Sequence, residues 1–306
     1  MRRNTLPKIA SRFSGARDNI PPAVPRRLVI ALAMLLACTA RERDAATVES
    51  TTTPPPTSEP ERAPLVTIEL GLVGPDALAL LAERHGPDSP LVRADKLLIV
   101  HHRIAAPWHI YWLNPGDSGL RTKLSFEATG VELGPVVYPA PDRFVASGGQ
   151  VSYGWEREAV LFVPLTNVTD EAVLEVRSDW LACHESCIPG RSDASAEISK
   201  LVMRDEAIVR SMIERIPEPA GDRLRLAWTD AKLRVEPTFA GARILAFFPY
   251  ASDKAVLQST ALGEHALDIA YRFDGPPPAE LGQGVIHLHS AGETRWLEIK
   301  APWPSL

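Results

Sequence analysis

The sequence predicts an all-β fold: two antiparallel β-sandwiches joined by a short helix. Three observations carry this. Past residue 64, short runs of alternating apolar and polar residues recur roughly every 8–15 residues. Turn sequences separate them, among them Asn114-Pro-Gly-Asp117, Pro139-Ala-Pro-Asp142 and Ser147-Gly-Gly149. A single stretch, 205–216, breaks the pattern with apolar residues at 208, 209, 212, 213 and 216, which is helical spacing, and Pro217 stops it.

Taken in order, Val66, Ile68, Leu70 and Leu72 alternate as a strand. Residues 76–85 read as a short helix with Asp76 as N-cap. Strands are then expected at 96–104, 108–112, 122–127, 134–138, 151–155, 159–164, 172–181 and 194–203. After the helix come 224–229, 232–237, 244–248, 266–273, 285–289 and 295–301. The expected sandwiches are 64–204 and 222–306, with 205–221 as linker helix. The 306 residues suffice for two domains, and 45% hydrophobic with 23% charged residues is a globular composition.

The first 63 residues read differently. Residues 1–37 hold seven Lys/Arg and one acid, then ten apolar residues, Leu28 to Ala37. That is signal-peptide length and too short to span a bilayer. Leu35-Leu-Ala-Cys38 resembles a bacterial lipobox, which implies cleavage before Cys38 and lipidation of its thiol. Ala40, where an inner-membrane signal has Asp, points to the outer membrane. Residues 38–63 are Thr/Ser/Pro-rich with almost no large apolar residue, a disordered linker. The expected location is therefore periplasmic, tethered to a membrane by the lipid. The net charge is −5 and the basic head leaves the rest near −11, which argues against a nucleic-acid partner.

Outside the leader the chain has two cysteines, Cys183 and Cys187, in Trp180-Leu-Ala-Cys-His-Glu-Ser-Cys-Ile-Pro189. Alternation of Leu174, Val176 and Trp180 with charged residues makes the approach a strand. Three intervening residues suit a hairpin loop, so the sulfurs come within disulfide range. Closing a five-residue loop stabilises by about 2 kcal/mol, against about 4.7 for a hundred-residue loop, so the pair is a poor staple. Outside the cytosol it is expected oxidised at rest. His184 and Glu185, between the sulfurs, are possible modulators of thiolate formation. Three readings stay open on spacing alone: a redox-active pair, a structural disulfide, and a copper site with His184. A zinc finger lacks its second cysteine pair, and no Cys-x-x-Cys with a βαβ pattern marks a thioredoxin site. His101 and His102 point to opposite faces of one strand and do not share a metal.

Trp108-His-Ile-Tyr-Trp-Leu-Asn-Pro-Gly-Asp-Ser-Gly-Leu120 resembles the N-terminal periplasmic domain of DsbD-type protein-disulfide reductases. Pro139-Ala-Pro-Asp-Arg-Phe144, Tyr153-Gly-Trp155 and Trp180-Leu-Ala-Cys-x-x-x-Cys-Ile-Pro189 follow in the same order, and the ScsB-like branch is the nearest in kind. The resemblance covers about residues 64–204. It implies an immunoglobulin-like sandwich whose cysteine pair is reduced by a thioredoxin-like donor and then reduces oxidised client proteins. It assigns the mixed disulfide to Cys187 and its resolution to Cys183; no metal or other cofactor is expected. It further implies an aromatic cap over the pair, for which Phe144, Tyr153 and Trp155 are the candidates. The electron source is expected to be a separate transmembrane carrier or thioredoxin-like protein. The rival is a non-catalytic interaction or copper-handling lipoprotein with a structural disulfide.

Overall fold

The computed structural model describes residues 63–252, 255–278 and 281–303. The expected leader, the expected lipidation site Cys38 and nearly all of the expected 38–63 linker lie outside the described residues. The fold is all-β: the described residues form four sheets, each pair enclosing a core.

In the first half the elements are β1 (Val66–Val73), α1 (Pro75–His85), α2 (Pro90–Arg93), β2 (Lys96–Ile104), β3 (His109–Gly116), β4 (Lys123–Thr129), β5 (Glu132–Leu133), β6 (Asp142–Val145), β7 (Val151–Glu156), β8 (Glu158–Thr166), β9 (Val173–Cys183), β10 (Cys187–Glu197) and β11 (Met203–Arg204). One sheet runs β11-β1-β2-β8-β5. The facing sheet runs β10-β9-β3-β7-β6, with β4 beside the first part of β9. Their shared core is built by β2 and β8, which are buried nearly end to end, and by Trp112, Trp155, Leu174 and Val176.

Helix α3 (Ala207–Glu214) and β12 (Glu218–Pro219) lead into β13 (Leu224–Thr229), β14 (Lys232–Pro237), β15 (Arg243–Pro249), β16 (Ala255–Leu262), β17 (Leu267–Phe273), β18 (Gln283–Ser290) and β19 (Glu293–Lys300). These form the sheets β12-β19-β18-β15 and β13-β14-β17-β16 around Leu233, Val235, Ile269, Ile286 and Leu297. Phe248, Val285 and Trp296 pack into the first core, so the halves are joined by apolar contact as well as by chain.

Several expectations need correction. Two pairings, β1 with β11 and β12 with β19, are parallel. Residues 134–138 form no strand and make one isolated bridge, Val137 to Phe162. The strand expected at 194–203 is β10, which begins at Cys187 and ends at Glu197, and Met203 belongs to the short β11. Strands β6 and β16 were not expected. Asp76 does not cap α1: the N-cap is Gly74, and the carboxylate that accepts from Ala77 N is Asp205, 2.9 Å away and 128 residues on.

His101 and His102 do face opposite ways. His101 Nε2 meets Glu158 at 3.2 Å, while His102 is fully buried and its Nε2 bonds Ser178 Oγ of the facing sheet at 2.8 Å. Burial is the main cause that pushes the His102 imidazole down to about 4. The unfolded chain therefore takes up this proton near pH 6.5 and the folded chain does not. Its contribution is intact above pH 6.5 and is lost as pH falls towards 4, about 3 kcal/mol in all. His85, His109 and His287 are held low by burial too and add in the same direction. Urea unfolding from pH 7 to pH 4 should show the loss, and His102→Gln should flatten it.

Candidate functional site

Strands β9 and β10 form a hairpin in register from Val173↔Glu197 to Cys183↔Cys187. Alternation turns Leu174, Val176, Ser178, Trp180 and Ala182 into the core. Glu175, Arg177, Asp179 and Cys183 take the outer face. On that face Arg177 meets Asp193 at 3.1 Å and Asp179 meets Arg191 at 2.9 Å, each across a directly registered pair. Trp180 is laid flat over Gly190, where an added Cβ would come within 2.1 Å of the indole. Its Nε1 donates to Ser192 Oγ at 3.0 Å, and Ser192 donates to Val66 O at 2.7 Å. The register of this hairpin is thus set by many contacts besides sulfur.

At its tip the Cys183–Cys187 disulfide is formed, with an S–S distance of 2.02 Å. The two sulfurs sit in unlike surroundings. Cys187 opens the edge strand β10 and is exposed. Cys183 is 3% exposed, although it lies on the outer face. It is flanked in its row by Cys187 on one side and by His109 of β3 on the other, and Glu156 of β7 ends the row.

His109 anchors a small aromatic group. Phe144 stacks on it, with centroids 4.7 Å apart, and Tyr111 meets it edge-on at 5.1 Å. Tyr111 Oη lies 4.0 Å from Cys187 Sγ, and a disulfide sulfur has no proton, so the phenol is the donor. Burial pushes this phenol above its ordinary value and keeps it protonated. Its ring rests on Gly119, where φ is +110° and a Cβ would come within 2.4 Å of the ring. His184 and Glu185 are exposed in the tip loop, closed by a His184 N to Ser186 O bond of 3.1 Å. The ring of Trp108 is edge-on to His184 at 6.4 Å.

Of the three aromatics expected to cap the pair, the structure places Phe144 in this group. Trp155 is 1% exposed, a core side chain on the inner face of β7, and can touch no partner. Tyr153 is likewise inward and packs against Phe248 at 5.5 Å. Alternation explains both, since odd-numbered residues of β7 face the core. His109 and Tyr111 are the neighbours that the sequence reading passed over. In Trp108-His-Ile-Tyr-Trp112 the signal was present: Ile110 and Trp112 alternate with His109 and Tyr111, which share the other face. Among the described residues no three His, Cys, Asp or Glu side chains form a group able to hold a metal.

Residues 81–198 match the family described as thiol:disulfide interchange protein DsbD, N-terminal. No curated protein matches the chain. Among solved structures, the N-terminal periplasmic domain of ScsB from Proteus mirabilis superposes with a TM-score of 0.53 at 13% identity, over 68% of this chain and 88% of that one. The DsbD N-terminal domain of Neisseria meningitidis in its reduced form gives a TM-score of 0.26 at 16% identity, over 34% of this chain and 78% of that one.

Proposed function

We propose that this is an extracytoplasmic thiol–disulfide exchange protein whose Cys183–Cys187 pair passes two electrons to disulfides of client proteins. The observation that carries the reading is the asymmetry of the pair: one sulfur open at a strand edge, the other enclosed. A dithiol donor attacks Cys187 Sγ, the accessible atom, and leaves the pair reduced. Cys187 thiolate then attacks a client disulfide, and Tyr111 is in place to donate a hydrogen bond to that thiolate. Cys183 displaces the client from Cys187 and closes the disulfide again. The family match over residues 81–198 supports the same chemistry.

Donor and clients are other proteins: a thioredoxin-like or transmembrane electron carrier on one side, oxidised exported proteins on the other. Anchoring follows from Cys38, lipidated at the end of the leader and joined to the first sandwich by the 38–63 linker, with the outer membrane as the favoured site. No described helix is long and apolar enough to cross a membrane.

The test is a trap. With Cys183→Ala the mixed disulfide on Cys187 cannot resolve, so adducts to periplasmic proteins should appear on a non-reducing gel and vanish with dithiothreitol. Absence of adducts in a folded, reduced variant defeats the proposal.

A further inference from the structure

The enclosed sulfur has a neighbour that the exchange cycle above leaves idle. We infer that His109 is the base that takes the proton from Cys183 when Cys183 resolves the mixed disulfide; the inference rests on the exchange reading above. An enclosed thiol cannot hand its proton to bulk water, and apolar surroundings disfavour its thiolate. A base must therefore lie beside it. His109 is its registered cross-strand partner on the same face. Directly opposed residues hold their β-carbons about 4.5–5.5 Å apart, within reach of an imidazole.

The ring is held in place by Phe144 on β6 and Tyr111 on its own strand, and its Nε2 is buried with no hydrogen-bond partner among the described residues. The charged groups that bear on it are Glu156 across the row and His184 in the tip loop. Burial lowers its proton affinity most, Glu156 opposes that, and His184 adds to it, so the imidazole is neutral at pH 7 and free to accept. The other polar groups nearby fit less well: His184 and Glu185 are exposed, and Tyr111 faces the sulfur of Cys187.

The step balances within the pair and its client. The Cys183 thiol loses its proton to His109. The thiolate attacks Cys187 Sγ, the Cys183–Cys187 bond forms, and the bond from Cys187 to the client sulfur breaks. The client leaves as a thiolate and recovers the proton from the imidazolium. The pair is oxidised and the client disulfide reduced by the same two electrons.

A chromogenic aryl disulfide, the dithionitrobenzoate reagent, separates the steps in the reduced full chain. Attack by Cys187 releases a first thionitrobenzoate, and resolution by Cys183 releases a second. In His109→Gln the second phase should slow about a hundredfold at pH 7, the usual size of a general-base effect. The deficit should narrow as pH rises, because hydroxide increasingly takes the proton in place of the missing imidazole. A second phase unchanged at pH 7, or slowed equally at every pH as for a packing role, overturns the inference. A first phase equal in Cys183→Ala and in Cys183→Ala with His109→Gln shows that the hairpin is intact. Failure of the first phase in the wild-type chain counts against the exchange function itself, not against the base.

Discussion

A Cys187→Ser variant is expected to lose client reduction completely while keeping its fold. Both halves of that result follow from the hairpin. Exchange needs a thiolate that a second protein can reach, and Cys187 is the exposed member of the pair, at the start of an edge strand. Cys183 cannot substitute, since it is 3% exposed and flanked in its row by Cys187 and His109. Turnover of a fluorescent cystine peptide by the reduced protein should fall to the uncatalysed rate. Stability should change little. The loop closed by the disulfide is worth about 2 kcal/mol at most. Here the register is fixed independently by Trp180 on Gly190, by Ser192 between Trp180 and Val66, and by two cross-strand ion pairs. A variant that unfolds, or a loss above about 4 kcal/mol by urea denaturation, would mean that the bond is a staple.

The contrast with Cys183→Ala sharpens the point. That variant keeps the attacking sulfur and should start each cycle but stall at the adduct. A purely structural disulfide predicts the same phenotype from both substitutions, namely lost stability without adducts. Different behaviour from two halves of one bond is what a switch requires.

The strands were legible where one face is core and the other solvent, as in Val66–Val73 or Val173–Cys183, because period-two alternation is local. It failed where that contrast is missing. Strand β16 is largely exposed, with only Ala255 and Leu257 half-buried against the second core, and β6 hides behind the turn-like Pro139-Ala-Pro-Asp142. The cysteine pair was legible from spacing. Its surroundings were not, because β3 ends at Gly116, far before Cys183 in sequence, and joins β9 through the sheet order. Which strand sits beside a given strand is a long-range choice, and no window of sequence contains it. For the same reason the cap on α1, supplied by Asp205, was assigned to the nearby Asp76.

Long-range choice also explains the largest expected loss of stability. Glu218, 1% exposed on β12, joins three segments: Arg84 of α1 at 3.0 Å, Arg223 at 2.9 Å and Arg295 of β19 at 3.3 Å. Its carboxylate is the shared counter-charge where the helix of the first sandwich meets the second. Removing the carboxylate strands Arg84, whose side chain is 14% exposed, while Arg223 and Arg295, each over a third exposed, regain water, so the loss should be about 3 kcal/mol, the lower end of what breaking a buried pair costs. An exposed pair such as Arg177–Asp193 is worth under about 1 kcal/mol. Glu218→Ala should therefore lower the urea midpoint well beyond Arg177→Ala. Glu218→Gln, which keeps the shape and loses the charge, should retain most of that deficit. A loss below about 1 kcal/mol in the Gln variant would show that shape rather than charge holds the joint. Because Phe248, Val285 and Trp296 belong to the first core, the loss should appear as a shift of one cooperative transition, with no separate melting of the second sandwich. The sulfur row lies on the outer face of the first sandwich, away from this cluster in the sheet order. Exchange by Cys187, measured below the transition, should then proceed at the wild-type rate in the same variants.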